Sequence, residues 1–314
     1  MPRREQYTGC LLGLAIGDAL GFPVEGMSLE RIRRTFGPAG VQDFVNVGQR
    51  GLPHGCVSDD TQMTMAVARA LLEAGRKSID ELMAAMCRQF VAWYQSPEIR
   101  GPGMTTLAAC ANLARGVPWN VSGIRESKGC GAAMRVAPIG LYYYRDPEQL
   151  RHVTEASALA THAHPTGVAA AVVNAVAVAR ALEKASPKRI LEELISIAAR
   201  LSGELEAALK KVKECEGMEP SEAFARFGET GSAEEVFASA LFCFLRAPED
   251  YRATVLAGAN SNGDSDSIAA QAGALSGAYN GAAALPEAWR RGVENAAELE
   301  RLASELFTHA PGGW

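Results

Sequence analysis

Aromatic residues make up only 7% of the 314-residue chain, and alternation of apolar and polar residues is absent except for a short run from Val41 to Val47. Both shortages argue against a β-sandwich or barrel, whose pleated faces favour aromatic and β-branched side chains. No block of lysine or arginine occurs. The 31 basic residues stand against 36 acidic ones, for a net charge of −5. That balance argues against a nucleic-acid partner and against an anionic membrane surface. Seven cysteines, an odd number with no C-x-x-C pair, argue against both a disulfide framework and a zinc ribbon. They are expected to be reduced and mostly in the core of a cytoplasmic protein. Long apolar runs are also missing. Arg3 and Arg4 precede the run Cys10 to Ile16 as in a secretory signal, but Asp18 interrupts it and no small-residue cleavage site follows. Gly167 to Ala179 contains Asn174 and falls short of the ~20 residues a bilayer needs, so it reads as a buried helix.

Alanine and glycine are abundant, with 55 and 31 residues, and 48% of the chain is hydrophobic. An interior of small side chains favours helices packed at short separation. Start signals recur ahead of helically spaced apolar residues. Ser78 with Glu81 forms a capping box before Leu82, Met86, Phe90 and Trp93. Asp146-Pro147 and Ser186-Pro187 each place proline at a first helical position. Ser232 with Glu235 repeats the box before Val236, Phe237, Ala240 and Leu241. No linker and no solenoid repeat interrupts the pattern. The expectation is one compact all-α domain over residues 1–314, with the Lys- and Glu-rich stretch 201–232 as a solvated helical face.

Polar residues gather where helices begin. Ser58-Asp59-Asp60-Thr61 puts adjacent carboxylates at the positive end of a helix, with Ser58 or Asp59 as its cap. Asp264, Asp266 and Ser267 offer hard oxygen donors at i, i+2 and i+3. The helix behind them repeats Ala269, Gly273 and Gly277 at every fourth position, a ridge that admits a close neighbour. An EF-hand is excluded, because its glycine and closing glutamate are missing. Gly129-Cys130-Gly131-Ala132 leaves backbone N–H groups accessible, as an anion requires, although a tight helix-to-helix turn has the same composition. His162 and His164 in Thr161-His162-Ala163-His164-Pro165 lack a third zinc ligand.

Should the fold join the two acidic clusters, Asp59, Asp60, Asp264 and Asp266 would share one site. Four buried carboxylates are costly without compensation, and two divalent cations cancel their charge. Carboxylate and hydroxyl donors suit Mg²⁺, Mn²⁺ or Ca²⁺.

With these motifs together, the sequence resembles the ADP-ribosylglycohydrolase family. The resemblance lies in GCLLGLAIGDALGFPVE at 9–25, SDDT at 58–61, GCGAAMRVAP at 129–138, THAHP at 161–165 and NGDSDSIAAQAGALSGAYNG at 262–281, which follow the family's order. It implies a compact orthogonal helical bundle and a site for two Mg²⁺ or Mn²⁺ ions. By the same resemblance, Ser58, Asp59, Asp60, Asp264, Asp266 and Ser267 are the metal ligands. Asp59 or Asp264 is the candidate to orient or deprotonate water, and Glu25 belongs to a loop near the metals. Gly129, Cys130, Gly131 and Ala132 would hold the diphosphate and distal ribose, and His162 would line the pocket. Serine stands at 58 and 267 where many members have threonine, and either supplies a hydroxyl. The implied reaction releases ADP-ribose from an acceptor, either an ADP-ribosylated protein side chain such as arginine or serine, or a small molecule. Alternatives are a non-catalytic ADP-ribose-binding or structural protein, since some members serve as crystallins, and a hydrolase of a small-molecule or nucleobase adduct. A monomer without nucleic-acid or membrane partners is expected.

Overall fold

A computed structural model of the chain describes residues 1–46 and 52–311. The helices are α1 (Arg4–Gly21), α2 (Leu29–Phe36), α3 (Asp59–Ala74), α4 (Ile79–Tyr94), α5 (Met104–Ala114), α6 (Trp119–Ser122), α7 (Ala137–Tyr142), α8 (Pro147–Leu159) and α9 (Pro165–Leu182). They continue as α10 (Pro187–Leu201), α11 (Gly203–Glu214), α12 (Pro220–Phe227), α13 (Ala233–Arg246), α14 (Tyr251–Ala259), α15 (Ser265–Asn280), α16 (Glu287–Gly292) and α17 (Ala296–His309). Among the described residues there is no strand, only single bridges between Ile124 and His162 and between Gly129 and Ser232. The all-α expectation holds. Residues 41–46 form no strand, and Val47 lies outside the described residues.

The centre is the antiparallel pair α1 and α15. The ridge Ala269, Gly273, Gly277 meets a matching ridge of Gly9, Gly13, Gly17 and Gly21. A methyl group added at Gly13 would stand 2.5 Å from the carbonyl oxygen of Gly273, so the two backbones touch where side chains usually intervene. This contact sets the C-terminal end of α1 beside the N-terminal end of α15. α15 also packs on α13, α14 and α9, while α3 packs on α4 and α17.

Buried polar groups tie the layers. Asn174 in α9 donates to Ala133 O at 2.8 Å and to Gln271 in α15 at 3.1 Å. α9 runs from Pro165 to Leu182, longer than the apolar run its sequence shows. By length and composition both it and Arg4–Val24 are apolar enough to cross a membrane, but 83% and 89% of these windows are buried in the fold.

Three start signals operate as expected. The Ser78–Glu81 capping box forms, and Asp146 and Ser186 accept from the backbone N–H groups of Gln149 and Arg189. The box expected at Ser232 does not form. Glu235 instead accepts from the N–H and hydroxyl of Thr230, at 2.8 and 2.7 Å, because Gly228 and Gly231 turn the preceding loop back over it. Residues 201–232 are likewise more than a solvated face. They form α11 and α12, whose Val212, Phe224 and Phe227 join Phe242 of α13 and Ile268 of α15 in a second apolar cluster.

Candidate active site

The acidic site begins with how α3 starts. Ser58 is its cap: its hydroxyl accepts from Asp60 N at 3.2 Å, leaving the carboxylates of Asp59 and Asp60 free of capping duty. The anion that satisfies the helix terminus is Asp18, from α1. Its carboxylate accepts from Ser58 N at 3.0 Å, Thr61 N at 3.1 Å and the Thr61 hydroxyl at 2.5 Å. A buried carboxylate at a helix N-terminus is favoured by both the exposed N–H groups and the dipole. Arg100 and Glu294 fix the approach to this cap: Arg100 donates to Val57 O and to both oxygens of Glu294, and Glu294 accepts from Val57 N.

The second cluster arrives on α15. Asp264 is its N-cap without a side-chain capping bond, so its carboxylate is also available. Ser267 donates to Asp60 Oδ2 at 3.2 Å, and Ser58 donates to the same oxygen at 3.2 Å. Thus the two acidic motifs meet through one carboxylate, joining Asp60 and Ser267 across 207 positions of sequence. Asp60 Oδ1 and Asp266 Oδ1 are buried with no hydrogen-bond partner. The Cys130 thiol donates to Asp264 Oδ2 at 3.0 Å and lies 3.5 Å from Ser267 Oγ.

Electrostatics follow from burial and crowding. Loss of solvent raises Asp59, Asp60 and Asp266 well above the usual carboxylate range, and the neighbouring acids Asp18, Glu25, Asp60 and Asp264 raise them further. Burial also raises Asp18, to about 6, although the Thr61 and Ser58 hydrogen bonds oppose it.

These groups line a cleft of about 320 Å³. Glu25, Asp59, Asp60, Glu229, Asp264 and Asp266 give it six carboxyl groups, and among the described residues neither lysine nor arginine lines it. Against Asp264 and Ser267 lies the turn Cys130–Arg135, preceded by Gly129. It is anchored at its entrance by Ala233 N donating to Lys128 O at 2.8 Å, and beside it Ile124 N donates to Thr161 O at 2.9 Å. His162 packs on it so closely that a methyl group at Gly131 would stand 2.6 Å from the ring and 3.0 Å from Thr106 Oγ1. Only glycine fits there. Burial and the nearby Arg135 charge push His162 down to about 3, so its ring is neutral at ordinary pH.

Every residue that the resemblance assigns to the site lines or adjoins this cleft. Glu25, Asp59, Asp60, Asp264, Asp266, Ser267, Gly129, Cys130, Gly131 and His162 line it directly, Ser58 bonds to Asp60, and Ala132 follows Gly131 in the turn. His164 does not: its Nδ1 accepts from Thr166 N at 3.2 Å and caps α9. Motif reading missed Asp18, and also the walls Gly101 to Thr106 and Glu229 to Gly231. Asp18 sits inside an apolar helix, which was the available signal.

As donors, two unpartnered buried carboxylate oxygens among crowded acids fit hard divalent cations. Among the described residues, no three His, Cys, Asp or Glu side chains converge on one point by themselves. The hydroxyls of Ser58 and Ser267 are the further oxygen atoms at this junction, and both donate to Asp60 Oδ2.

The sequence profile of the ADP-ribosylglycohydrolase family matches residues 1–313. The chain belongs to the ADP-ribosylglycohydrolase family. It is 34% identical over 303 residues to an uncharacterized protein of Archaeoglobus fulgidus, with 96% of each chain covered. It is 27% identical to the ADP-ribosylhydrolase ARH3 of Gallus gallus, covering 97% of this chain and 93% of that one. To the ADP-ribosylarginine hydrolase Tri1 of Serratia proteamaculans it is 25% identical, covering 98% and 80%. A solved structure described as an ADP-ribosylglycohydrolase-related protein complex superposes with a TM-score of 0.79 at 28% identity, over 98% of this chain and 99% of that one. Fold and family thus agree with the resemblance read from the motifs.

Proposed function

We propose that this ADP-ribosylglycohydrolase family member hydrolyses the glycosidic bond between ADP-ribose and an acceptor, and that it does so with two divalent cations, Mg²⁺ or Mn²⁺. The observation that carries the reading is the meeting of the two acidic helix starts at Asp60, with Asp60 Oδ1 and Asp266 Oδ1 buried and unpartnered. The expected acceptor is an ADP-ribosylated protein side chain, such as arginine or serine, and the expected setting is the cytoplasm.

Ser58, Asp59, Asp60, Asp264, Asp266 and Ser267 would hold the ions. Bound there, divalent cations supply Lewis acidity and lower the pKa of water. The chain's residues supply the rest. Asp59 or Asp264, both lining the cleft, orients the attacking water and takes its proton. Glu25, lining the same cleft, assists proton transfer to the leaving group. The transition state resembles an oxocarbenium ion, which a carboxylate-rich wall stabilises. Gly129 to Ala132 bind the diphosphate through backbone N–H groups, and that remote binding energy positions the ribose. The neutral His162 ring contributes a hydrogen bond without bringing charge.

The test is release of ADP-ribose from ADP-ribosylated arginine and serine peptides with Mg²⁺, with Mn²⁺ and with EDTA. Metal-dependent release is expected from at least one acceptor. Binding of ADP-ribose without release from any acceptor would favour a non-catalytic role, and undiminished release in EDTA would remove the metals from the reaction.

A further inference from the structure

Arg135 is fully buried, yet no carboxylate lies within ion-pair distance of it among the described residues. All its hydrogen bonds go to neutral groups, and Asp59 acts on it only through space. It donates to Gly131 O at 3.1 Å, Ser157 O at 2.9 Å and Thr161 Oγ1 at 2.7 Å, and stacks over Phe90 with its central carbon 4.4 Å from the ring centroid. Its Nε has no partner. Burying a charge against neutral partners is unfavourable, and folds generally avoid it unless the charge has a use. Burial lowers the guanidinium only to about 10, so it stays cationic near neutrality.

The location indicates the use. Arg135 ends the same turn as Cys130 and Gly131 without lining the cleft, and its guanidinium holds Gly131 O. In a trans peptide the N–H points opposite to the C=O, so this bond turns the Ala132 N–H away from the guanidinium. The bond fixes the Gly131 peptide, and Gly131 is the residue of this pair that lines the cleft, since Ala132 is buried behind it. The cleft in front has six carboxyl groups and, among the described residues, no lysine or arginine. Two divalent cations would cancel four of those charges, and the diphosphate would add further negative charge. Among the described lining residues no side chain supplies positive charge. Lys128, the nearest cation in sequence, is committed to Glu204 and Glu234 at 3.2 and 2.7 Å. Thr161, which accepts from Arg135, contacts His162 Nδ1 at 2.9 Å, so the same guanidinium braces both sides of the subsite.

We propose that Arg135 is a positioning residue for the diphosphate: an unpaired buried cation that aligns the Gly131 peptide and supplies, through the loop, the positive field the cleft itself lacks. This rests on the reading that ADP-ribose is the ligand of the cleft.

The experiment is calorimetric titration of ADP-ribose into the Mg²⁺-loaded full chain, as wild type, Arg135→Lys and Arg135→Gln, with a thermal melt of each sample. Lysine keeps the charge and loses the fork; glutamine keeps donors and loses the charge. The expected result is a loss of affinity of about tenfold or more in Arg135→Gln, or ~1.4 kcal/mol. Arg135→Lys should recover most of it, although its melting temperature is no higher than that of Arg135→Gln. Equal affinity of wild type and Arg135→Gln overturns the proposal. So does equal weakening in both variants, which would assign the effect to hydrogen-bond geometry, and so does loss of the fold in both, which would make the residue structural. Failure of the wild type to bind ADP-ribose would instead strike at the ligand reading on which the proposal stands.

Discussion

The hydroxyl of Ser267 donates to Asp60 Oδ2 across 3.2 Å, joining residues 207 positions apart at the point where two helix N-termini converge. Each helix start is acidic for its own local reason, since carboxylates favour that end of a helix. Their convergence turns two ordinary preferences into a strained one. Like charges are buried together, and the fold holds them because α1 and α15 are locked by glycine contacts and α3 is capped by Asp18.

Asp60→Asn keeps the shape of this junction and removes its charge. In EDTA the variant should be at least as stable as wild type, because a buried charge among like charges is gone. ADP-ribose release at saturating Mg²⁺ should fall by about 100-fold or more, beyond the 10–100-fold typical of residues that merely support metal ligands. Paired thermal melts and initial rates check both parts; retained activity contradicts the role given to Asp60.

Gly13→Ala tests the helix contact. A methyl group there meets Gly273 O at 2.5 Å, so the helices must separate. Overpacking of this kind costs about 1–3 kcal/mol, read from the urea midpoint. Gly203→Ala serves as control, since nothing lies within 4 Å of the added atom and it should be neutral or slightly stabilising.

Asp18→Ala removes the acceptor for Ser58 N, Thr61 N and the Thr61 hydroxyl. Two orphaned N–H groups at about 1–3 kcal/mol each predict a loss of about 2–6 kcal/mol in chemical denaturation. Asp18→Asn, which retains one acceptor oxygen, should lose less. The Mg²⁺ concentration needed for half-maximal activity should rise in both, as the start of α3 loosens.

The raised carboxyl groups set a pH dependence. Asp18 is raised to about 6, and Asp59, Asp60 and Asp266 well above the usual range, by burial first and by one another second. From the unfolded value of about 3.9 up through these raised values, the folded chain binds more protons than the unfolded chain. Stability therefore falls as pH rises through that window. Divalent cations favour the ionised forms and oppose this loss. The increase in melting temperature on adding Mg²⁺ should be small at pH 5 and larger at pH 8. Taking the difference with and without Mg²⁺ cancels the contribution of His162. An increment that is equal or larger at pH 5 contradicts the assignment of these groups as ligands.

Much of this site was legible in the sequence because helix termini announce themselves. Ser58, Asp59 and Asp60 sit at a cap, Asp264 and Asp266 precede a small-residue ridge, and both patterns have local causes. The all-α fold followed from the same start signals. What escaped notice depends on partners distant in the chain. Asp18 looks like an interruption of an apolar run until Ser58 and Thr61 are brought to it. Glu235 has the spacing of a local capping box, but a loop turned by Gly228 and Gly231 offers it Thr230 instead. The stretch 201–232 is rich in charge on its outer side, yet Val212, Phe224 and Phe227 found apolar partners only on α13 and α15. Mean composition hides such a face, whereas its periodicity would have shown it.

The most direct test of the central claim is anomalous scattering from crystals of the chain grown with Mn²⁺. Two peaks about 3.5–4 Å apart, bonded to carboxylates of Asp60 and Asp266 with Ser58 or Ser267 hydroxyls among the ligands, are the predicted result. No peak in the cleft at saturating Mn²⁺, or a peak that leaves Asp60 and Asp266 uncoordinated, would contradict it.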